Sequence, residues 1–517
     1  MELNCTTEKS EKETVKPSWR RRALKIILWL VGVPIALAVL LTIYFYIGGI
    51  EWGDWTIPNE SALRLELHDV PDEENAYLAL QALTNLYNVA EGDDESAEIS
   101  DRAFVKFYGD LFLRDYSSDY LEKWSAIRKD PSSPERAERI LADNAEFFEG
   151  LKKALSFKRF ANVDAKLEYA KLAKEGKMTF VMSFLGLHDP LVRFAQLIEL
   201  RSQVAIEKGD IEAAVSDIAD MHALGQLLKI NNEELVAYLC GALIEKFSFT
   251  KMCDVVATGN ATEEIVERFS KMVDVSDANG PKAWGRALKT ESARHFEGVE
   301  WYCNHPDKAL FYGGTIFYDF DGDTLSPTIL CRILANWPGF AKFAIHRREM
   351  LYRQAMLDRA MLAGDDDLTE MIFREIPRNP FLPNCVGNNI VSMQCPIINP
   401  IGKEGCLNRL RPRLVLASEK WRRAHGGENP PSLEALVPDY LAAVPRDPWS
   451  KSGESMKYDA ALGVVWSIGK DGKCDYREIA KDLSATGNKA SIYDDTQKYA
   501  FRLDGKPIGF PIKAGHR

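Results

Sequence analysis

The stretch IILWLVGVPIALAVLLTIYFYIGGI, Ile26 to Ile50, runs for twenty-five residues without a charged side chain. At about 1.5 Å of rise per residue, a helix of that length crosses a hydrocarbon core of roughly 30 Å. Before it stand Lys9, Lys12, Lys16, Arg20, Arg21, Arg22 and Lys25, whereas residues 51–75 hold one basic residue, Arg64. Lys and Arg accumulate on the cytoplasmic flank of a span, so residues 1–25 read as a cytoplasmic basic tail and 26–50 as a transmembrane helix. The remainder then reads as an extracytoplasmic body, in a single-pass protein of a cell inner membrane whose lipid contact is made by residues 26–50. Trp29 near one end and Tyr44, Tyr46, Trp52 and Trp55 near the other fit the aromatic belts of a lipid–water boundary. Pro34 is compatible with a spanning helix.

A cleaved leader would need a shorter apolar core and small residues before the cut. Around Phe45-Tyr46-Ile47-Gly48 the −3 position is always large, and no lipobox cysteine follows. Arg22-Ala23-Leu24-Lys25 does not supply the glycine, aromatic or methionine, and glutamate of a type IV prepilin leader. An uncleaved signal anchor is expected.

Of the 517 residues, 46% are hydrophobic and 27% charged, which suits a body with a substantial core and not a disordered chain. Residues 1–25 carry seven basic and four acidic side chains, so the −11 of the whole chain leaves −14 for the rest. An acidic body argues against nucleic acid or anionic lipid as a general partner. Eight of the nine cysteines lie beyond the anchor, where disulfides are permitted. Cys240 and Cys253, thirteen residues apart on one expected helix, are separated by roughly 20 Å and cannot pair. Cys385, Cys395 and Cys406, in a proline-rich loop, are the place for a bridge, with buried free thiols as the alternative. No C-x-x-C pair exists, so a zinc ribbon or a thioredoxin-like site is unsupported.

The expected fold is mainly α: the N-terminal transmembrane helix, an irregular or TPR-like helical body, and a small α+β C-terminal module. Its divisions are a helical domain over 51–300, a helical segment with a proline-rich loop over 301–404, and the module over 405–517. Pro71-Asp72-Glu73-Glu74 reads as a helix start. Further helices are expected at 101–129, 135–161, 232–257, 262–274, 281–298 and 339–363. Residues 301–327 read as an irregular connection or small ribbon, and five prolines between Pro377 and Pro400 argue against regular structure there. The clearest unit is 190–229, two helices joined by Lys208-Gly209-Asp210, with Gly209 suited to a left-handed cap and Asp210 to an N-cap. Gly209-Asp210-Ile211-Glu212-Ala213-Ala214 resembles the turn of a tetratricopeptide repeat, over one hairpin and without a fixed period elsewhere.

From Leu407 a helical face of Leu410, Leu414, Ala417, Trp421 and Ala424 ends at His425-Gly426-Gly427. Then come Leu433-Glu434-Ala435-Leu436-Val437-Pro438-Asp439-Tyr440-Leu441 and Pro445-Arg446-Asp447-Pro448-Trp449. Two strands, Met456 to Asp459 and Gly463 to Ile468, precede Gly469-Lys470-Asp471-Gly472. This order resembles the globular end of the major pseudopilin of type II secretion. It is also similar to uncharacterised bacterial membrane-anchored proteins that carry such a module behind a helical region, often after a stretch like Asn399-Pro400-Ile401-Gly402. The resemblance covers about 75 residues and speaks to fold more than to function. It implies a calcium loop, for which Asp471, Asp475 and Asp482 are the matching oxygen donors. The glycine pair that normally follows is Lys473-Cys474 here, which departs from that loop.

Other patterns carry less. Asp319-Phe320-Asp321-Gly322-Asp323 opens like an EF-hand loop, but Thr324 and Leu330 occupy the positions of its glycine and bidentate glutamate, so it reads as an acidic turn. Glu291 and His295, at i and i+4 with no second histidine in ligand spacing, read as a surface pair. Ser248-Phe249-Thr250-Lys251, Tyr302-Cys303-Asn304 and Lys451-Ser452-Gly453 mimic the motifs of serine penicillin-recognising enzymes. The first falls inside an expected helix, however, and the strands of that fold are missing between them. No nucleophile elbow, P-loop, zinc-protease motif or dinucleotide fingerprint is present. Catalytic residues and organic cofactors are therefore not assigned. The leading expectation is a scaffold or interaction protein with an envelope protein as partner; the alternative is an envelope hydrolase whose carboxylates are brought together by the fold.

Overall fold

The structure is a computed structural model of the chain. It describes residues 19, 25–57, 70–88, 133–161, 163, 171–172, 174–175, 185–230, 235–306, 337–363, 366–376, 382–393, 399–469, 472 and 500–506. These are mostly helical, with one three-stranded sheet. The expected helix at 101–129, most of the 301–327 connection and the Asp319–Asp323 turn lie outside the described residues.

In chain order the helices begin with α1 (Lys25–Gly48), α2 (Tyr77–Asn88), α3 (Ser133–Asp143) and α4 (Ala145–Leu155). Then follow α5 (Leu185–Lys208), α6 (Ile211–Ile230), α7 (Leu235–Ala257) and α8 (Glu263–Asn304). After these come α9 (Phe340–Ala344), α10 (Arg347–Ala363), α11 (Asp366–Glu375), α12 (Cys385–Met393) and α13 (Asn399–Ala424). The strands are β1 (Lys457–Asp459), β2 (Val464–Trp466) and β3 (Ala500–Arg502). They form an antiparallel sheet of order β1-β2-β3, with Lys457 opposite Trp466 and Val464 opposite Arg502.

The chain divides into two compact units. One comprises Met1–Pro58, Val299–Met356 and Met371–Cys395; the other comprises Asn59–Gly298, Leu357–Glu370 and Pro396–Arg517.

In the first unit, α1 is long and apolar enough to cross a membrane. Most of its side chains are exposed; Phe45 is buried, and Ala38, Leu41 and Thr42 are half-buried. A π turn at Leu28–Gly32 precedes Pro34. The proline ring would collide with the carbonyl of Leu30 in a regular turn, and the widened turn relieves that clash. The expected single helix over 339–363 is instead two, α9 and α10, separated at Ile345, which is extended. The break has a local cause: Asn384 Oδ1 accepts the His346 amide at 2.9 Å, and the Asn384 amide donates to the Phe343 carbonyl at 2.7 Å. The proline-rich stretch also differs from expectation, because α12 forms between Pro383 and Pro396, where twelve residues without proline suffice for two turns.

In the second unit the hairpin α5–α6 turns as its sequence requires. Gly209 adopts φ +76, and Asp210 Oδ1 accepts the Ala213 amide at 3.1 Å. The two expected helices at 262–274 and 281–298 merge into α8, with Pro281 inside it. Packing of Ala283, Ala287 and Leu288 against Leu235 and Tyr238 outweighs the one hydrogen bond the proline removes. One core gathers Ile218, Phe249, Met252, Phe269 and Leu414 with Leu436, Met456, Val465, Phe501 and Leu503, so the C-terminal strands share their interior with the helices. A second core joins Leu80, Phe147, Leu151, Phe194, Ile198, Met221, Leu224 and Ile244.

Candidate functional site

The densest grouping of chemically capable side chains lies where α6, α7 and α8 cross. On α6, His222, Gln226 and Lys229 fall at i, i+4 and i+7, on one helical face. On α7, Gly241 and Glu245 repeat at i and i+4, and α8 supplies Ser276. The crossing depends on two glycines. A Cβ on Gly241 would stand 2.6 Å from the Gly225 carbonyl oxygen, and one on Gly225 would stand 2.8 Å from that of Gly241. Only with both bare can the backbones approach closely enough to seat the polar groups between them.

Glu245 is the hub. Lys229 Nζ donates to its Oε2 at 2.5 Å, Ser276 Oγ donates to Oε1 at 2.6 Å, and Gln226 Nε2 also donates to Oε1. Gln226 Nε2 lies 3.0 Å from Ser276 Oγ, and His222 Nε2 lies 2.8 Å from it. The Lys229 and Glu245 side chains are 1% and 3% exposed. Burial lowers Lys229 below the ordinary lysine range, and the Glu245 charge opposes that shift. Burial likewise pushes His222 down to about 4, against the pull of Glu245, leaving a neutral imidazole at pH 7.

The charge pattern continues outward. Arg409 on α13 bonds Asp277 at 3.3 Å, and Arg413 bonds Asp277 at 2.5 Å and Asp274 at 2.7 Å. Lys229, Arg409 and Arg413 are thus balanced by Glu245, Asp277 and Asp274 across four helices. A serine within hydrogen-bonding reach of a histidine is the geometry of a nucleophile and its base. Here Ser276 is fully buried and Glu245 holds the hydroxyl instead of orienting the imidazole, so no substrate carbonyl can reach it. The arrangement does the work of a strut.

Two further struts have the same character. Arg201 on α5 donates to Asp217 on α6 at 2.8 Å and lies 3.6 Å over the Phe148 ring of α4. Burial raises Asp217 above the usual carboxylate range, and the bonds to Arg201 oppose that shift. Of Glu291 and His295, expected as a surface pair, His295 is instead buried, 4% exposed, with Nε2 3.2 Å from the half-buried Glu291 and Nδ1 3.9 Å from Asp358. Burial alone would lower His295, but bonds and charges from Asp358 and Glu291 hold it up at about 9, an imidazolium between two carboxylates. The i, i+4 spacing was legible; Asp358, from α10, was not.

The aspartates expected to bind calcium, Asp471, Asp475 and Asp482, lie outside the described residues. Among the described residues no three His, Cys, Asp or Glu side chains are placed to hold a metal ion. Ser248 donates to the Glu245 carbonyl one turn back, and Lys251 donates to Gln203 at 2.8 Å and Asp254 at 3.0 Å, so both sit in α7 as structural groups. Cys253, Cys303 and Cys406 are free thiols, and Cys395 lies outside the described residues. Burial pushes Cys253 up to about 11 and Cys303 up to about 12, which makes both poor nucleophiles. In the C-terminal module, Asp447 of the Pro-Arg-Asp-Pro-Trp run accepts from Ser467 Oγ at 2.7 Å and from the amides of Ile468 and Trp449 at 2.7 and 2.9 Å. That aspartate ties its loop to the end of β2.

An open cleft of about 460 Å³ lies between the ends of α7 and α13 and the turn after β3. Glu419 there accepts from Arg422 at 2.6 Å and from Arg423 at 2.9 Å, and Asp504 is held by both arms of Arg502. Its acids are already committed, and it presents no carboxylate pair poised for acid and base work. Compared with protein-family models, curated proteins and solved structures, the chain matches none.

Proposed function

We propose that this chain is a single-pass membrane-anchored scaffold or interaction protein of a bacterial envelope. Residues 1–25 lie in the cytoplasm, and the body beyond α1 lies outside the inner membrane. The observation that supports this reading is the fate of the reactive side chains. The histidine, serine and carboxylate that the fold brings together are sealed into a helix crossing, where they brace the structure and meet no solvent. A hydrolase of the alternative class needs converging carboxylates in an open pocket, whereas the acids of the open cleft are spent on arginines.

In this reading the grooves between helices and the pseudopilin-like C-terminal module are the docking elements. The module's partner is an extracytoplasmic protein assembly. Two experiments test it. A periplasmic reporter fused after Arg517 is expected to be active; activity in a cytoplasmic reporter alone overturns the topology. Crosslinking of the intact protein in native membranes, followed by mass spectrometry, is expected to recover one reproducible stoichiometric partner. Recovery of the protein alone, together with hydrolytic activity on envelope polymers, supports the enzyme instead.

A further inference from the structure

The C-terminal end of α1 is not a free stalk within its unit. Trp337 Nε1 donates to Thr42 Oγ1 at 3.1 Å, and that hydroxyl donates in turn to the Ala38 carbonyl at 2.8 Å. Phe340 and Phe343 of α9 pack on Phe45, with ring centroids 5.1 and 4.9 Å apart, and Phe343 lies 5.1 Å from Tyr44. A Cβ on Gly48 would come within 2.5 Å of the Phe343 ring, so the glycine permits the contact. Pro383 lies against the same glycine, and His346 Nε2 donates to its carbonyl at 2.9 Å. Residue by residue, the segment climbs alongside α1: 337 beside 42, 340 beside 45, 343 and 346 beside 48.

That register fixes a depth. Thr42 stands six residues, or roughly 9 Å, before the end of the helix. A span of about 20 residues beginning at Ile26 reaches Phe45, so Thr42 lies within the hydrocarbon even on the shallowest placement. Whatever touches Thr42 lies there too. The pairing with Thr42 also gives the Trp337 indole N–H an acceptor that a lipid environment would not supply.

We propose that residues 337–344, with Leu382 and Pro383, form a second membrane-inserted element, a shoulder seated among lipid acyl chains in the leaflet at the C-terminal end of α1. The inference rests on the anchor reading of α1 and adds a lipid contact that the apolar run itself does not contain. The outward surface suits that solvent. Pro338 is exposed, Leu382 is 41% exposed, and the neighbouring Tyr46 and Ile47 are each 59% exposed. Lys342, the cation of α9, is exposed beside Gly49, where its stem can lie along the acyl chains and its ammonium can reach the phosphates. A shoulder of this kind turns the anchor from a tether into a fixed mount and holds the first unit against the bilayer.

The test is site-specific photocrosslinking of the full chain in vesicles of phosphatidylethanolamine and phosphatidylglycerol. A benzophenone amino acid replaces Pro338, Leu382, Leu40 within the span, or Arg348, whose amide bonds Glu51 past the end of α1. The expected result is the mass of one added phospholipid at positions 338, 382 and 40, and none at 348. Adducts at 40 but at neither 338 nor 382 overturn the shoulder and leave the anchor standing. No adduct at 40 overturns the anchor reading and the shoulder with it. Using two shoulder positions keeps the result decisive if one replacement disturbs folding.

Discussion

The strut between α6 and α7 makes a quantitative demand. Glu245→Leu strands the Lys229 ammonium, 1% exposed, without its carboxylate, and an uncompensated buried charge costs about 3–5 kcal/mol. Lys229→Met leaves Glu245 with the Ser276 and Gln226 donors, so the loss is limited to about 2–3 kcal/mol for one charged hydrogen bond. In the double variant Lys229→Met with Glu245→Leu, both charges vanish and Gln226 still bonds Ser276, so the cost falls to about 1–2 kcal/mol. The two single losses therefore exceed the double loss by roughly 5 kcal/mol, far outside the additivity expected of independent sites. Thermal unfolding of the detergent-solubilised chain, followed by far-ultraviolet circular dichroism, reads this difference. At about 2–4 °C per kcal/mol, Glu245→Leu melts on the order of 10 °C lower, and adding Lys229→Met to it raises the melting point again. A double variant as unstable as the two singles summed would refute the strut.

The glycine crossing gives a second expectation: Gly241→Ala and Gly225→Ala each destabilise by about 1–3 kcal/mol, read as a lower melting temperature, because a methyl would press on the opposing backbone. The two buried histidines oppose each other in pH. His222, lowered to about 4, contributes stability that is complete above 6.5 and lost as pH falls from there toward 4; His295, raised to about 9, contributes stability that is complete below 6.5 and lost as pH rises through 9. Melting temperature should therefore peak near pH 6.5, with His295→Gln flattening the alkaline limb; an unchanged alkaline limb in that variant would contradict the assignment. Asp447→Ala removes three hydrogen bonds from a buried loop and should cost about 3 kcal/mol, measured as faster hydrogen exchange at the Trp449 and Ile468 amides. If Asp471, Asp475 and Asp482 hold calcium, a chelator lowers the melting temperature of the purified chain, and no shift removes that proposal.

Elements whose cause is local were legible in the sequence. The uncharged run from Ile26 to Ile50 announces its helix, Lys208-Gly209-Asp210 announces its turn, and the strands expected at Met456 to Asp459 and Gly463 to Ile468 contain β1 and β2. Where a distant partner decides, the residues misled. Asn384 breaks the helix at Ile345, packing around Ala287 carries α8 through Pro281, and β3 pairs with a strand thirty-six residues earlier in the chain. The strut was invisible for the same reason: Lys229, Glu245 and Ser276 are unremarkable on their own helices and gain meaning only where α6, α7 and α8 converge. Hydrophobic spacing and turn chemistry act over a few residues, so the sequence alone determines helices, caps and an apolar helix long enough to cross a membrane. Burial of charge is a property of the packed interior, so which ions are sealed, which histidine stays neutral and which segment lies beside α1 were decided only by the tertiary structure.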